Sequence, residues 1–153
     1  MKTIKNYTIL LLFLFIVSCG YSPLVENQRN NFSIIEVTFE GDRKINNYIS
    51  DQLKKVSSNN DNSTNYIIKV SSEYNKNIVN KDSKGNPKNF NLTIITKLII
   101  QSSKSDEIEK TFEKSIPLKS KQKKITEKKL EEKYKENLSK TIAKEIIFYL
   151  NSL

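Results

Sequence analysis

Tyr66-Ile67-Ile68-Lys69-Val70-Ser71-Ser72-Glu73-Tyr74 and Phe90-Asn91-Leu92-Thr93-Ile94-Ile95-Thr96-Lys97-Leu98-Ile99-Ile100 are the two stretches that decide the fold. In the first, Tyr66, Ile68, Val70, Ser72 and Tyr74 share one parity, with Ile67, Lys69, Ser71 and Glu73 between them. A period of two is what a strand with one buried face requires. In the second, Phe90, Leu92, Ile94, Thr96, Leu98 and Ile100 share one parity, while Ile95 and Ile99 interrupt the polar face and suggest cover on both sides. Pairing extends to Asn80, and Lys81-Asp82-Ser83-Lys84-Gly85-Asn86 has turn chemistry, with Gly85 free to take positive φ. At about 3.3 Å per residue, arms of this length reach further than a helix of about fourteen residues can cover. The sequence therefore predicts that the tip, Asn75 to Asn89, projects beyond the packed body.

Before the hairpin, Phe32 to Phe39 reads as a strand, with Ile35, Val37 and Phe39 alternating with Glu36 and Thr38. Gly41 breaks the run and Asp42 can cap a helix. That helix runs over Arg43 to Val56, with Ile45, Tyr48, Ile49, Gln52, Leu53 and Val56 along its inner face and Arg43 helping to begin it. Ser57 to Asn65 is a polar loop. After the hairpin come a turn at Ser102 to Asp106 and a fourth strand, Ile108 to Leu118. Pro117 cannot donate to a ladder, which predicts an edge position. Thr126 is the expected cap of the last helix, Glu127 to Asn151, with Glu127 in its first turn as the helix dipole prefers. Leu130, Tyr134, Leu138, Ile142, Ile146 and Leu150 recur every fourth residue as a core stripe, widened by Ala143 and Ile147. The order β-α-β-β-β-α predicts an α+β two-layer sandwich: a four-stranded, mostly antiparallel sheet with two helices on one face. The first strand can pair at more than one position, so the strand order stays open.

The N-terminus sets the expected compartment. Lys2 and Lys5 precede the apolar run Ile9 to Val17, and Ser18 is the small residue before a cut, so residues 1–18 read as a signal peptide. The run stops short of the roughly 20 residues a span needs. Cys19 is the only cysteine of the chain, and a lone thiol in an exported protein asks for a reason. Ile16-Val17-Ser18-Cys19 resembles a bacterial lipobox, in which the thiol accepts lipid and small neighbours admit the peptidase. The resemblance implies a covalent lipid on Cys19. Each buried methylene contributes on the order of 0.8 kcal/mol, so several acyl chains make a firm anchor. The same resemblance implies sorting to the outer membrane, because Gly20 stands where Asp would signal inner-membrane retention. Residues 19–31 read as a lipidated tether, leaving 32–153 as a single domain.

The 153 residues carry 26 Lys and Arg against 17 Asp and Glu, a net charge of +9. A basic exported protein points to anionic partners, and export argues against nucleic acid. With no His, and the one Cys committed to lipid, Ser-His-Asp, Cys-His and His-rich metal chemistry are excluded. The three glycines form no phosphate loop. No catalytic residue, metal or cofactor is expected. The candidate contact residues are Lys81, Lys84 and Lys88 around the hairpin tip, and Lys119, Lys121, Lys123 and Lys124 in the loop before the last helix.

Cys19-Gly20-Tyr21-Ser22-Pro23-Leu24 is similar to the Cys-Gly-Phe-x-Pro-Leu start of the LPS-assembly lipoprotein family, LptE, and the element order fits that family's plan. The resemblance implies a lipid-anchored, periplasm-facing subunit of the outer-membrane lipopolysaccharide translocon. Such a subunit plugs a large β-barrel protein, helps it assemble and can bind lipopolysaccharide. On that reading the seven lysines meet barrel or lipid phosphate, and Tyr21 and Leu24 sit at the barrel mouth or the membrane interface. The alternative left open is a lipid-binding or structural envelope lipoprotein serving another outer-membrane machine.

Overall fold

A computed structural model describes residues 32–56, 64–102 and 105–153. The signal peptide, Cys19 and the tether with Tyr21 and Leu24 lie outside the described residues, as does most of the Ser57–Asn65 loop.

The elements follow in the order β1 (Phe32–Gly41), α1 (Arg43–Val56), β2 (Thr64–Lys81), β3 (Pro87–Ser102), β4 (Ser105–Lys119) and α2 (Lys124–Ser152). They form the expected α+β architecture, and the sheet order is β1-β2-β3-β4. β1 runs parallel to β2, from Phe32 opposite Thr64 to Gly41 opposite Ser72. A parallel pair needs a crossover, and α1 is it. The other two pairings are antiparallel, Tyr66 facing Ser102 and Asn89 facing Lys119. β4 is the edge that Pro117 called for.

Asp42 caps α1, its Oδ1 accepting the N–H groups of Lys44 at 2.9 Å and Ile45 at 3.1 Å. Ile45, Ile49 and Leu53 are buried on the inner face of that helix. All six same-parity residues of β3, from Phe90 to Ile100, are buried. α1 rests on β1 and β2, α2 on β3 and β4, and the helices touch each other. The main core joins Phe32, Tyr66, Ile68, Val70, Ile94, Leu98 and Ile100 to Ile142, Ala143, Ile146 and Leu150 of α2. The open face of the sheet carries cross-strand ion pairs, Lys69–Glu40 at 2.7 Å and Lys97–Glu109 at 2.8 Å.

Three expectations need correction. Ile35 is exposed, because the β1–β2 register slips between Ile34 and Glu36. A bulge there switches the inward set from Phe32 and Ile34 to Val37 and Phe39. Thr126 does not cap the last helix. Its N-cap is Lys123, without a side-chain cap, and the N–H of Thr126 already bonds the Lys123 carbonyl.

The hairpin also projects less than predicted. α2 has 29 residues, about 43 Å at 1.5 Å per residue, and it reaches over the arms. Phe90, Leu92 and Leu118 form a second buried cluster against Tyr74, Ile116, Leu130 and Tyr134. Asn75 and Lys76 are half-buried, so the exposed stretch of the hairpin is residues 77–86.

Candidate functional site

The candidate site lies at the end of the sheet furthest from Phe32. Phe32 is level with Thr64, the first residue of β2, and Lys81 is the last of its 18 residues. At ~3.3 Å per residue the two ends are roughly 55 Å apart.

Asp82 builds the hairpin turn. Its Oδ1 accepts the N–H groups of Lys84 at 2.9 Å and Asn86 at 2.8 Å, and its Oδ2 accepts from Asn86 Nδ2 at 3.2 Å. The Asn86 N–H is the main reason its carboxyl lies below the usual carboxylate range. Gly85 takes φ 82°, the positive value that closes the turn. Lys81, opposite Pro87, and Lys84 stand exposed on either side.

The loop between β4 and α2 closes on the same end. Asn89 faces Lys119, and the N–H of Ser120 bonds the carbonyl of Lys88 at 3.0 Å. Glu127, in the first turn of α2, holds this loop from inside. Its carboxylate accepts Ser120 Oγ and the Lys121 N–H, each at 3.0 Å. It also pairs with Lys76 at 3.2 Å and Lys124 at 3.8 Å. The Lys121 N–H is the largest of the effects that keep this carboxyl below its ordinary value, against the opposing pull of burial.

Lys76 bridges Glu127 and Glu131, the latter at 2.8 Å, and lies 4.3 Å from the centre of the Phe90 ring. Burial favours its neutral form, but the two carboxylates outweigh that and raise its pKa. Tyr74 donates to Glu131 at 2.7 Å, while Lys135 stacks over the Tyr74 ring and reaches Asp42. This polar seam fixes α2 to β2 beneath the cationic end.

The fold therefore brings the two lysine groups together. Lys81, Lys84, Lys88, Lys119, Lys121 and Lys123 are all exposed, and among the described residues none of them has a carboxylate within ion-pair distance. Lys124 alone of the seven is tied to an acid. Ammonium groups without acidic partners can hold phosphate or another anion by charge-assisted hydrogen bonds. Among the described residues no group of three or more His, Cys, Asp and Glu is placed to hold a metal, and no helix is long and apolar enough to cross a membrane.

Two features escaped the sequence reading. Ile78, Val79 and Ile125 stand exposed among the lysines. On the flank, an apolar groove of about 610 Å³ runs between β4 and α2, lined by Lys110, Phe112, Lys144, Phe148 and Tyr149. Phe148 is 73 % exposed there. Its place between two stripe positions was the only available signal.

No protein-family model and no curated protein sequence matches the chain significantly. Solved structures do. The rare lipoprotein B from Shewanella oneidensis superimposes with a TM-score of 0.60 at 10 % identity, over 76 % of this chain and 94 % of that one. A minor lipoprotein from Acinetobacter baumannii gives 0.57 at 12 % identity, over 79 % and 92 %. An uncharacterized lipoprotein B from Nitrosomonas europaea gives 0.53 at 15 %, over 78 % and 84 %. At such identities the likeness is one of fold. The chain folds as these bacterial lipoproteins do.

Proposed function

We propose that this chain is an outer-membrane lipoprotein, anchored through Cys19, that plugs and helps assemble the β-barrel translocon inserting lipopolysaccharide into the outer membrane. Its role is binding and scaffolding, without a catalytic step. The observation that carries the reading is the convergence of the seven lysines at one end, roughly 55 Å along β2 from the end where the tether joins. Lipopolysaccharide is phosphorylated, and such an end offers its phosphates six cations that, among the described residues, pair with no carboxylate. The lipobox and the fold shared with bacterial lipoproteins support the same reading. An anchor beside the barrel would raise the local concentration of the domain at its partner.

One observation favours the second reading, a lipid-binding or structural lipoprotein of another envelope machine. Barrel lumens are polar, whereas the groove at Phe148 is apolar. Depletion of the chain separates the two. The plug reading expects the folded form of the lipopolysaccharide-exporting barrel to fall, with other barrels unaffected. A barrel that folds and inserts normally without this chain overturns it.

A further inference from the structure

Four consecutive residues of β4, Lys110, Thr111, Phe112 and Glu113, line the groove beside Phe148. Successive strand residues point to opposite faces, so a groove that meets four in a row follows the backbone edge itself. On the other wall stand Thr141, Lys144, Glu145 and Phe148, spaced as one face of α2. Phe112 is the buried floor, its ring 6.2 Å from that of the half-buried Tyr149 and edge-on to it.

β4 ends the sheet, with β3 on one side only. An edge strand carries N–H and C=O groups that no neighbouring strand takes. Pro117 tells which ones. A proline is accommodated in an edge strand with its nitrogen turned to solvent. The direction of the backbone groups alternates along a strand, and the β3–β4 register runs unbroken from Ile108 to Lys119. Thr111, Glu113 and Ser115 share the parity of Pro117, so their N–H and C=O groups face outward along the groove.

Charge narrows the occupant. On the helix side Lys114 is already paired with Glu145 at 2.6 Å. Lys110 and Lys144 are exposed and, among the described residues, have no carboxylate within ion-pair distance. A second copy of this chain fits poorly. Antiparallel self-pairing centred on Phe112 sets Lys110 opposite Lys114, and centring it on Thr111 sets Glu109 opposite Glu113. Like charges directly opposite each other are destabilising. The tether joins at β1, the far edge of the sheet.

We propose that β4 accepts an extended segment of a partner protein as a fifth strand. Its main chain bonds the outward groups of Thr111, Glu113 and Ser115. On its helix side an aliphatic side chain meets Phe148, and an acidic residue two positions to either side of it reaches Lys110 or Lys144. In such strand addition the backbone supplies affinity and the alternate side chains supply specificity. The inference is independent of what the cationic end binds.

The probe is a fluorescein-labelled peptide, Thr-Glu-Thr-Val-Lys-Glu-Thr, which presents Glu, Val and Glu on one face and offers Lys to Glu113 on the other. Its anisotropy is read as the full lipidated protein in phosphatidylcholine nanodiscs is added. Hydrogen exchange of the protein is followed with and without excess peptide. The expected result is saturable binding, with slowed exchange confined to residues 109–116. Replacing both peptide Glu residues by Lys should weaken binding about tenfold, and so should Phe148→Ser in the protein. N-methylating one alternate set of peptide amides should abolish binding while methylating the other leaves it, which a ligand held by side chains alone would not show.

Phe148 is 73 % exposed, so its serine variant is expected to keep the fold, which circular dichroism checks. No binding, equal binding of the lysine peptide, indifference to both N-methylations, or a Phe148→Ser variant that titrates like its parent overturns the proposal. So does exchange in 109–116 that is already slow without peptide, because a second copy or the tether then holds the edge.

Discussion

Gly41 and Gly85 both have positive φ, 89° and 82°, yet they carry different burdens. Gly85 has open space around it, so an added Cβ meets nothing and only the backbone preference is lost. At Gly41 a Cβ would collide with the Ser72 carbonyl, which also accepts the Asp42 N–H at 2.9 Å. Behind it Asn46 donates to the Glu40 carbonyl at 2.8 Å and accepts from Ser72 Oγ. This knot ends β1 and starts α1 over the same two residues. Gly85→Ala should therefore lower stability by about 1 kcal/mol, and Gly41→Ala by more than about 3 kcal/mol. Urea unfolding of the two variants reads the difference; equal losses would contradict it.

Glu127 acts at the same scale but controls more of the molecule. Because its carboxyl is held below its unfolded value, near 4.5, it stabilises the folded chain above that pH. The contribution is lost as pH falls through the lowered folded value. Asp42 and Glu131 follow the same sign: burial pushes both up, and their N–H, hydroxyl and lysine partners outweigh it. Glu127→Gln should cost ~1–2 kcal/mol near neutral pH. The gap to the parent should close on acidification below about pH 4. Urea midpoints across that range check the sign, and a gap that widens in acid would refute it.

Among the elements, α2 determines how the cationic end is held. Its C-terminal half fills the main core and its N-terminal half closes the Phe90–Leu92–Leu118 cluster. Leu92→Ala should destabilise by ~2–4 kcal/mol. Hydrogen exchange should quicken most in residues 76–92 and 116–130, since that cluster is the smaller of the two. Uniform acceleration across the sheet would show instead that the two clusters open as one.

Element by element, the periodicity of β3 and of both helices was readable because apolar side chains at fixed steps leave few alternatives. The bulge at Ile35 was not, since a one-residue slip leaves alternation intact on either side of it. Nor was the true start of α2. Thr126 has the right chemistry for a cap, but the chain turns helical before reaching it, with Glu127 satisfying the loop instead. Measured against the 14-residue α1 alone the hairpin is too long for the body, and it is the 29-residue α2 that covers its arms.

At the scale of the molecule, both lysine groups were visible in the sequence, whereas their meeting was not. It depends on β2, β3 and β4 being neighbours, so that the hairpin turn and the β4–α2 loop open at one end. The parallel β1–β2 pair sends Phe32 to the other end, which gives the molecule its polarity. Exposed aliphatics among those lysines were hidden too, because periodicity assigns Ile78 to an inner face and cannot see where the helix cover stops.

The central claim, a plug bound to a large barrel, is tested most directly by a pull-down of the lipidated protein from mildly solubilised outer membrane, with its partners identified. One large β-barrel protein in stoichiometric amount is the expected partner. Recovery of the chain alone, or with soluble envelope factors only, would contradict it.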